Sequence, residues 1–96
     1  MYILLLLALP NIDIQLSGPN RTIREGDSVS ISCIINEGLP KPEIHWSKDK
    51  WPLEEQKNTT LRLTKVTAKD AGRYTCKAKN EGGSAETSIN VTVDSE

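Results

Sequence analysis

The chain has a single histidine and only two cysteines, Cys33 and Cys76, which stand 43 positions apart in a sequence of 96 residues. Such a chain lacks the ligands for a tetrahedral metal site, and the separation matches no close-spaced zinc or redox motif, so neither a metal nor another cofactor is expected. Charge of one sign is never concentrated: 12 basic and 13 acidic residues are interspersed and give a net charge of −1. Nucleic acid and heparin-like polyanions need a concentrated basic stripe, so neither is expected as a partner. No helix-period apolar stripe extends beyond two turns. The one long apolar run, residues 2–9 within MYILLLLALP, is too short to span a bilayer as a helix, and the domain itself is not expected to insert into a membrane. Its length suits the core of a secretion signal, but no basic residue precedes it and Leu6 stands where a small residue is wanted two positions before Ala8. Residues 1–10 are therefore read as a truncated or atypical signal remnant, with a cloning or fragment artefact as the alternative, and are left out of the fold.

What remains, residues 11–96, is the length of one small domain and can build one core. Domains this small bury a modest share of their surface and are marginally stable unless a staple is added; two cysteines can supply one. Hydrophobic residues make up 36% of the chain, and they alternate with polar ones at short, regular spacing, which makes the class all-β.

Ile12, Ile14 and Leu16 alternate in a first run, and after the turn-forming Gly18-Pro19 a second short run carries Ile23; together they read as one strand split in two, with Pro19 at an edge. Glu25-Gly26-Asp27 makes a tight turn into a strand from Ser28 to Ile35, with Val29, Ile31, Cys33 and Ile35 on its inner face. Residues 38–42 form a loop. A strand over residues 43–48 puts Ile44 and Trp46 inside and His45 and Ser47 outside. Residues 49–53 turn the chain, and a strand over residues 60–66 points Leu61 and Leu63 inward. In a last hairpin Tyr74, Cys76 and Ala78 face the core, Asn80 to Gly83 turn, and Ala85, Thr87, Ile89, Val91 and Val93 return along the inner face.

The succession Cys33, Trp46, Asp70-Ala71-Gly72-Arg73-Tyr74-Thr75-Cys76, Ala78, Asn80 and Gly82 resembles the intermediate-set (I-set) immunoglobulin superfamily over roughly residues 12–94, and the turn EGDSV, the segment WSKDK and the closing AKNEGG are similar to tandem modules of hemicentin, roundabout and titin-type proteins. The resemblance implies a Greek-key β-sandwich of two antiparallel sheets with about 7–8 strands, a Cys33–Cys76 disulfide between the sheets, Trp46 packed over it, and a Tyr74 hydroxyl that closes a corner on the backbone. The family often pairs the aspartate of DxGxYxC with an arginine at the start of strand D; this sequence offers only Lys57 there, so Asp70 is expected to bond to backbone instead. Only five positions separate Trp46 from Trp51 and eight separate Leu53 from Leu61, so strand C′ or strand D is expected to be vestigial, as in short C2-like variants.

Three of the six asparagines head N-x-S/T sequons, at Asn20, Asn58 and Asn90, and are candidate glycosylation sites; sequons also arise freely in Ser/Thr-rich β proteins. Asn90 is expected to project from the last strand, where a glycan would cover the sheet of strands C, F and G. That face presents Glu43, His45, Ser47, Thr75, Lys77, Lys79, Glu86 and Ser88, a polar and mixed-charge set suited to a wet or electrostatic contact rather than a buried apolar pairing. Trp51 occupies a turn where the family commonly has a small or polar residue; either it folds back on Pro52 and covers the edge left by the shortened strand, or it is an exposed interface anchor. The lone His45, outward on a strand, reads as solvated rather than as a pH sensor, and no base-orienting carboxylate or oxyanion loop is expected around it, so no enzyme activity is expected. The resemblance implies an extracellular adhesion, receptor or matrix module that engages a protein ligand or neighbouring immunoglobulin domains, with weak homophilic contact as a further option. The alternative is an intracellular sarcomeric-type module that acts as a mechanical spacer with reduced cysteines.

Overall fold

The structure is a computed structural model and describes residues 8–17, 22–39 and 41–94. Among the described residues seven strands form two antiparallel sheets. β1 (Ala8–Ser17), β2 (Val29–Leu39) and β5 (Thr60–Leu63) make one, in the order β1-β2-β5; β3 (Glu43–Lys48), β4 (Trp51–Leu53), β6 (Gly72–Asn80) and β7 (Gly83–Val91) make the other, in the order β4-β3-β6-β7. This is the all-β sandwich read from the alternation. No strand lies between β4 and β5, so the expected vestigial element is strand D, and C′ survives as the three residues of β4.

The core is built from the inward positions of each strand: Val29, Ile31 and Cys33 from β2, Ile44 and Trp46 from β3, Leu61 from β5, Tyr74, Cys76 and Ala78 from β6 and Val91 from β7, with Ile23 and Val66 supplied by the connections. Burying a branched aliphatic such as Ile31 or Leu61 contributes roughly 1.5–3 kcal/mol each. The period-2 pattern fixes this register, because a slip of one residue would carry every one of these side chains to solvent. Among the described residues no polar or charged residue is buried, so nothing in the core opposes the packing with an unpaired group.

Connections follow local chemistry. Gly26 adopts φ +92° in the tight turn expected there, Asp27 accepts the Arg24 N–H on its carboxylate at 2.9 Å, and the turn is pinned to Val66 by two backbone bonds of 2.8 and 2.9 Å. The run holding Ile23 forms a parallel bridge between Arg24 and Asp94, so it joins the last strand's end of the second sheet rather than β1, which accounts for a strand split in two. Thr67 and Asp70 form a capping box on the 3-10 turn Ala68–Asp70: Thr67 Oγ1 accepts from the Lys69 N–H and the Asp70 carboxylate from the Thr67 N–H at 2.8 Å.

Several boundaries differ from the sequence reading. β1 takes in Ala8, Leu9 and Pro10, which that reading left to the leader, and β2 continues to Leu39 where a loop was expected from Gly38; the two extensions pair with each other, Ala8 opposite Leu39, past irregularities at Asn11. The strand expected to reach Val66 stops at Leu63, since Lys65 takes φ +47° and Val66 enters the core from the turn. The segment expected to turn over residues 49–53 turns in two residues, Asp49 and Lys50, both at positive φ, and Trp51–Leu53 is already strand. The Gly18-Pro19 turn and the Asn20 sequon lie outside the described residues.

Candidate functional site

Sheet-to-sheet attachment runs through one covalent bond. Cys33 at the middle of β2 and Cys76 at the middle of β6 form a disulfide with Cα atoms 6.3 Å apart, both cysteines essentially buried. Trp46 sits opposite Cys76 in the β3–β6 register, is 2% exposed, and donates its indole N–H to the Asn58 carbonyl at 2.8 Å. That bond satisfies the ring's one polar atom and ties the strandless segment after β4 to the core.

The DxGxYxC segment converges with the β3–β4 turn. Tyr74 donates its hydroxyl to the Asp70 carbonyl at 2.6 Å, closing the corner. Asp70 uses its carboxylate on the Thr67 N–H, a backbone donor. Asp49, which the sequence reading did not single out, accepts the Arg73 N–H at 2.9 Å and crowds Gly72: a Cβ there would lie 2.6 Å from its carboxylate oxygen, and Gly72 has φ +155°. The glycine of the motif is thus explained by the close approach of a neighbouring side chain. Lys48 lies over the Tyr74 ring at 5.9 Å and donates to the Lys69 carbonyl. Burial first, and the nearby Asp70 and Asp49 carboxylates second, push the Tyr74 phenol up to about 12.

The outer face of the four-stranded sheet carries the exposed His45, Lys77 and Lys79, brought side by side across β3 and β6: His45 opposite Lys77 and Glu43 opposite Lys79, with Glu86 on β7 opposite Lys77. Lys79 and Lys77 thus each face a carboxylate across the strands, Glu43 and Glu86 respectively. His45 Nε2 lies 3.5 Å from the Glu43 carboxylate. A shallow cleft of about 520 Å³ follows on the same face, lined by Asp49, Lys50, Arg73, Thr75, Glu86 and Ser88 among others. Asn90 is exposed at the end of β7 opposite Arg73, beside that cleft, whereas Asn58 is exposed in the segment between β4 and β5 and lines a different groove together with Glu43 and His45. Among the described residues no three His, Cys, Asp or Glu side chains converge to hold a metal.

Trp51 does not fold back: it is 76% exposed. Its register shows why. Trp46 pairs with Leu53 and Lys48 with Trp51, so Trp51 belongs to the inward-facing row, but the opposing sheet ends at β5 and has no strand D for the ring to meet. Covering the edge of a shortened sheet would need that missing neighbour. The sequence shows both facts separately, the short Leu53–Leu61 interval and the parity of Trp51 with Trp46, and only their combination places the ring in solvent.

Comparison with known proteins bears on the whole arrangement. Residues 10–93 match the family model of the immunoglobulin I-set domain. The human MAM domain-containing glycosylphosphatidylinositol anchor protein 2 is 40% identical over 79 residues, covering 75% of this chain and 8% of that protein. The cardiac-type myosin-binding protein C of Gallus gallus is 39% identical over 83 residues, covering 77% of this chain and 6% of that protein. The crystal structure of Dscam1 isoform 4.44, N-terminal four Ig domains, superposes with a TM-score of 0.78 at 26% identity, covering 92% of this chain and 21% of that one. The chain thus spans less than a tenth of either curated relative, and such domains occur both in receptors and adhesion proteins and in sarcomeric ones. With the inter-sheet disulfide, the tryptophan over it, the tyrosine corner and the family match over residues 10–93 all in agreement, the chain belongs to the immunoglobulin I-set domain family.

Proposed function

We propose that this domain is a non-catalytic extracellular module that binds a protein partner, with Trp51 as its anchor. The observation that carries the reading is the 76% exposure of Trp51 on an edge strand, flanked by the charged Lys48 to Lys50 turn. Large aromatics ringed by polar groups are the residues from which interfaces draw most of their affinity. The disulfide supports an oxidising compartment, and the exposed Asn58 and Asn90 sequons agree with secretion. His45, Lys77 and Lys79, on the outer face of the same sheet, offer a second, polar surface suited to orienting a charged partner or a neighbouring immunoglobulin domain.

The decisive experiment is intact mass of the chain made in a secretory mammalian host, with and without a deglycosidase and with and without reduction before alkylation. Secretion, a glycan mass shift and thiols that alkylate only after reduction support the reading. Free thiols and no glycan on an unsecreted chain refute it in favour of the sarcomeric spacer, the reading that the 39% identity to a cardiac myosin-binding protein favours. Trp51→Ala is expected to change folding stability by less than about 0.5 kcal/mol, as for an exposed side chain. Sedimentation of wild type and variant at rising concentration tests the anchor for a second copy as partner.

A further inference from the structure

The absence of strand D leaves two strand edges open onto one groove. β5 is the outer strand of its sheet, and β4 pairs with β3 only from Trp46 to Lys48, leaving Glu43 to His45 without a strand neighbour on that side among the described residues. A groove of about 590 Å³ runs between them, lined by Ile44, Lys57, Asn58, Thr60 and Arg62 among others, with Pro42 and Ile44 buried beneath it.

Ladder parity says which peptide groups face this groove. Cys33 N–H donates to the Thr59 carbonyl at 2.7 Å, in the same register as Ser32 opposite Thr60, so Thr59, Leu61 and Leu63 direct their peptide groups at β2. Thr60 and Arg62 therefore turn N–H and C=O outward, away from β2. By the same rule, the Asp49 N–H bond to the Arg73 carbonyl assigns the odd-numbered residues of β3 to β6, so Ile44 turns its peptide groups toward the side that β4 leaves empty. Unpaired edge groups of this kind are a template for another strand.

Charge selects the occupant. Among the described lining residues Lys41, Lys57 and Arg62 stand against Glu43 as the one carboxylate, all four exposed, within a chain whose net charge is −1. We propose that the groove binds an extended acidic peptide segment of a partner protein, which pairs with the outer edge of β5 at Thr60 and Arg62 in the place of strand D and sets its carboxylates against Lys41, Lys57 and Arg62. This surface is separate from the Trp51 edge. Asn58 lies in the lining, so a glycan on it would occupy the same space and close the groove.

The test titrates the 15N-labelled chain, produced without glycans, with a short peptide alternating Val and Glu. Controls are its Lys-for-Glu counterpart and a heparin-derived hexasaccharide. The expected result is amide shifts centred on Thr60, Arg62 and Ile44, no binding of the Lys peptide, and loss of affinity by about tenfold or more in Lys57→Glu/Arg62→Glu, both exposed positions whose change leaves the melting temperature near that of the wild type. N-methylation of one alternate set of peptide amides abolishes binding and of the other set leaves it. Shifts centred elsewhere, equal binding of the Lys peptide, insensitivity to both methylation sets, or no binding overturns the proposal; so does a hexasaccharide that binds as tightly with the same shifts, which would make the groove a general anion site. A chain glycosylated at Asn58 is expected to lose the interaction, and one that binds as well as the bare chain counts against this placement.

Discussion

Raising the pH should destabilise this domain through Tyr74. The phenol is buried, its hydroxyl is committed as a donor to the Asp70 carbonyl at 2.6 Å, and the carboxylates of Asp70 and Asp49 lie nearby, so ionisation would place a phenolate against a carbonyl oxygen and two anions. Its value of about 12 in the fold stands against 10.0 for the free side chain. The folded state thus holds the proton more tightly than the unfolded state. The stabilisation is fully present below pH 10 and is lost as pH rises from there through about 12. Two pH units correspond to roughly 2.7 kcal/mol at the limit and about 1.4 kcal/mol at pH 11. Tyr74→Phe keeps the ring and removes the ionisable group; at pH 8 it should cost about 1 kcal/mol through the lost hydrogen bond. Urea unfolding of both proteins, followed by tryptophan fluorescence from pH 8 to 11.5, should show the wild type descending onto the variant and meeting it near pH 11. All other side chains are common to the two proteins, so the difference between them isolates Tyr74. A gap between the two that stays constant with pH would refute the argument.

Gly72→Ala should destabilise by about 1–3 kcal/mol, since it combines a disfavoured φ with a Cβ against Asp49; Asp49→Ala in the same chain should restore part of the loss, as a double-mutant cycle in urea would show. Lys50→Gly should stabilise by about 0.5–1 kcal/mol, because Asp49 and Lys50 both occupy positive φ in a two-residue hairpin turn where glycine is preferred at the second position; a lower melting temperature would contradict that. Replacing Cys33 and Cys76 by alanine should remove about 4 kcal/mol by the chain-entropy model for a loop of 43 residues, enough to leave much of the population unfolded at body temperature by circular dichroism.

The alternation of Val29, Ile31 and Cys33, and of Tyr74, Cys76 and Ala78, was sufficient to orient the strands, because a half-buried sheet allows only one parity for its apolar residues. The spacing from Trp46 to Leu61 foretold a missing strand, though not which one, since that depends on whether Trp51–Leu53 finds a partner in β3. Asp49 was opaque for a different reason. Its role depends on the β3–β6 register, which brings residue 49 beside residue 73, and no local pattern around Asp49 signals that contact. The exposure of Trp51 was equally non-local, as it depends on what the opposite sheet lacks.

The disulfide joins the middle of the second strand to the middle of the sixth, so tension applied between the two chain ends travels across the sulfurs and bypasses everything between Cys33 and Cys76. In a single-molecule extension experiment the oxidised domain should therefore release only the chain outside that loop. Reduction should add the 43-position loop, roughly 145 Å of contour length at about 3.4 Å per residue. Oxidation state thus sets how far this domain can lengthen under load, so a single unfolding step length reports which compartment's redox chemistry it has met.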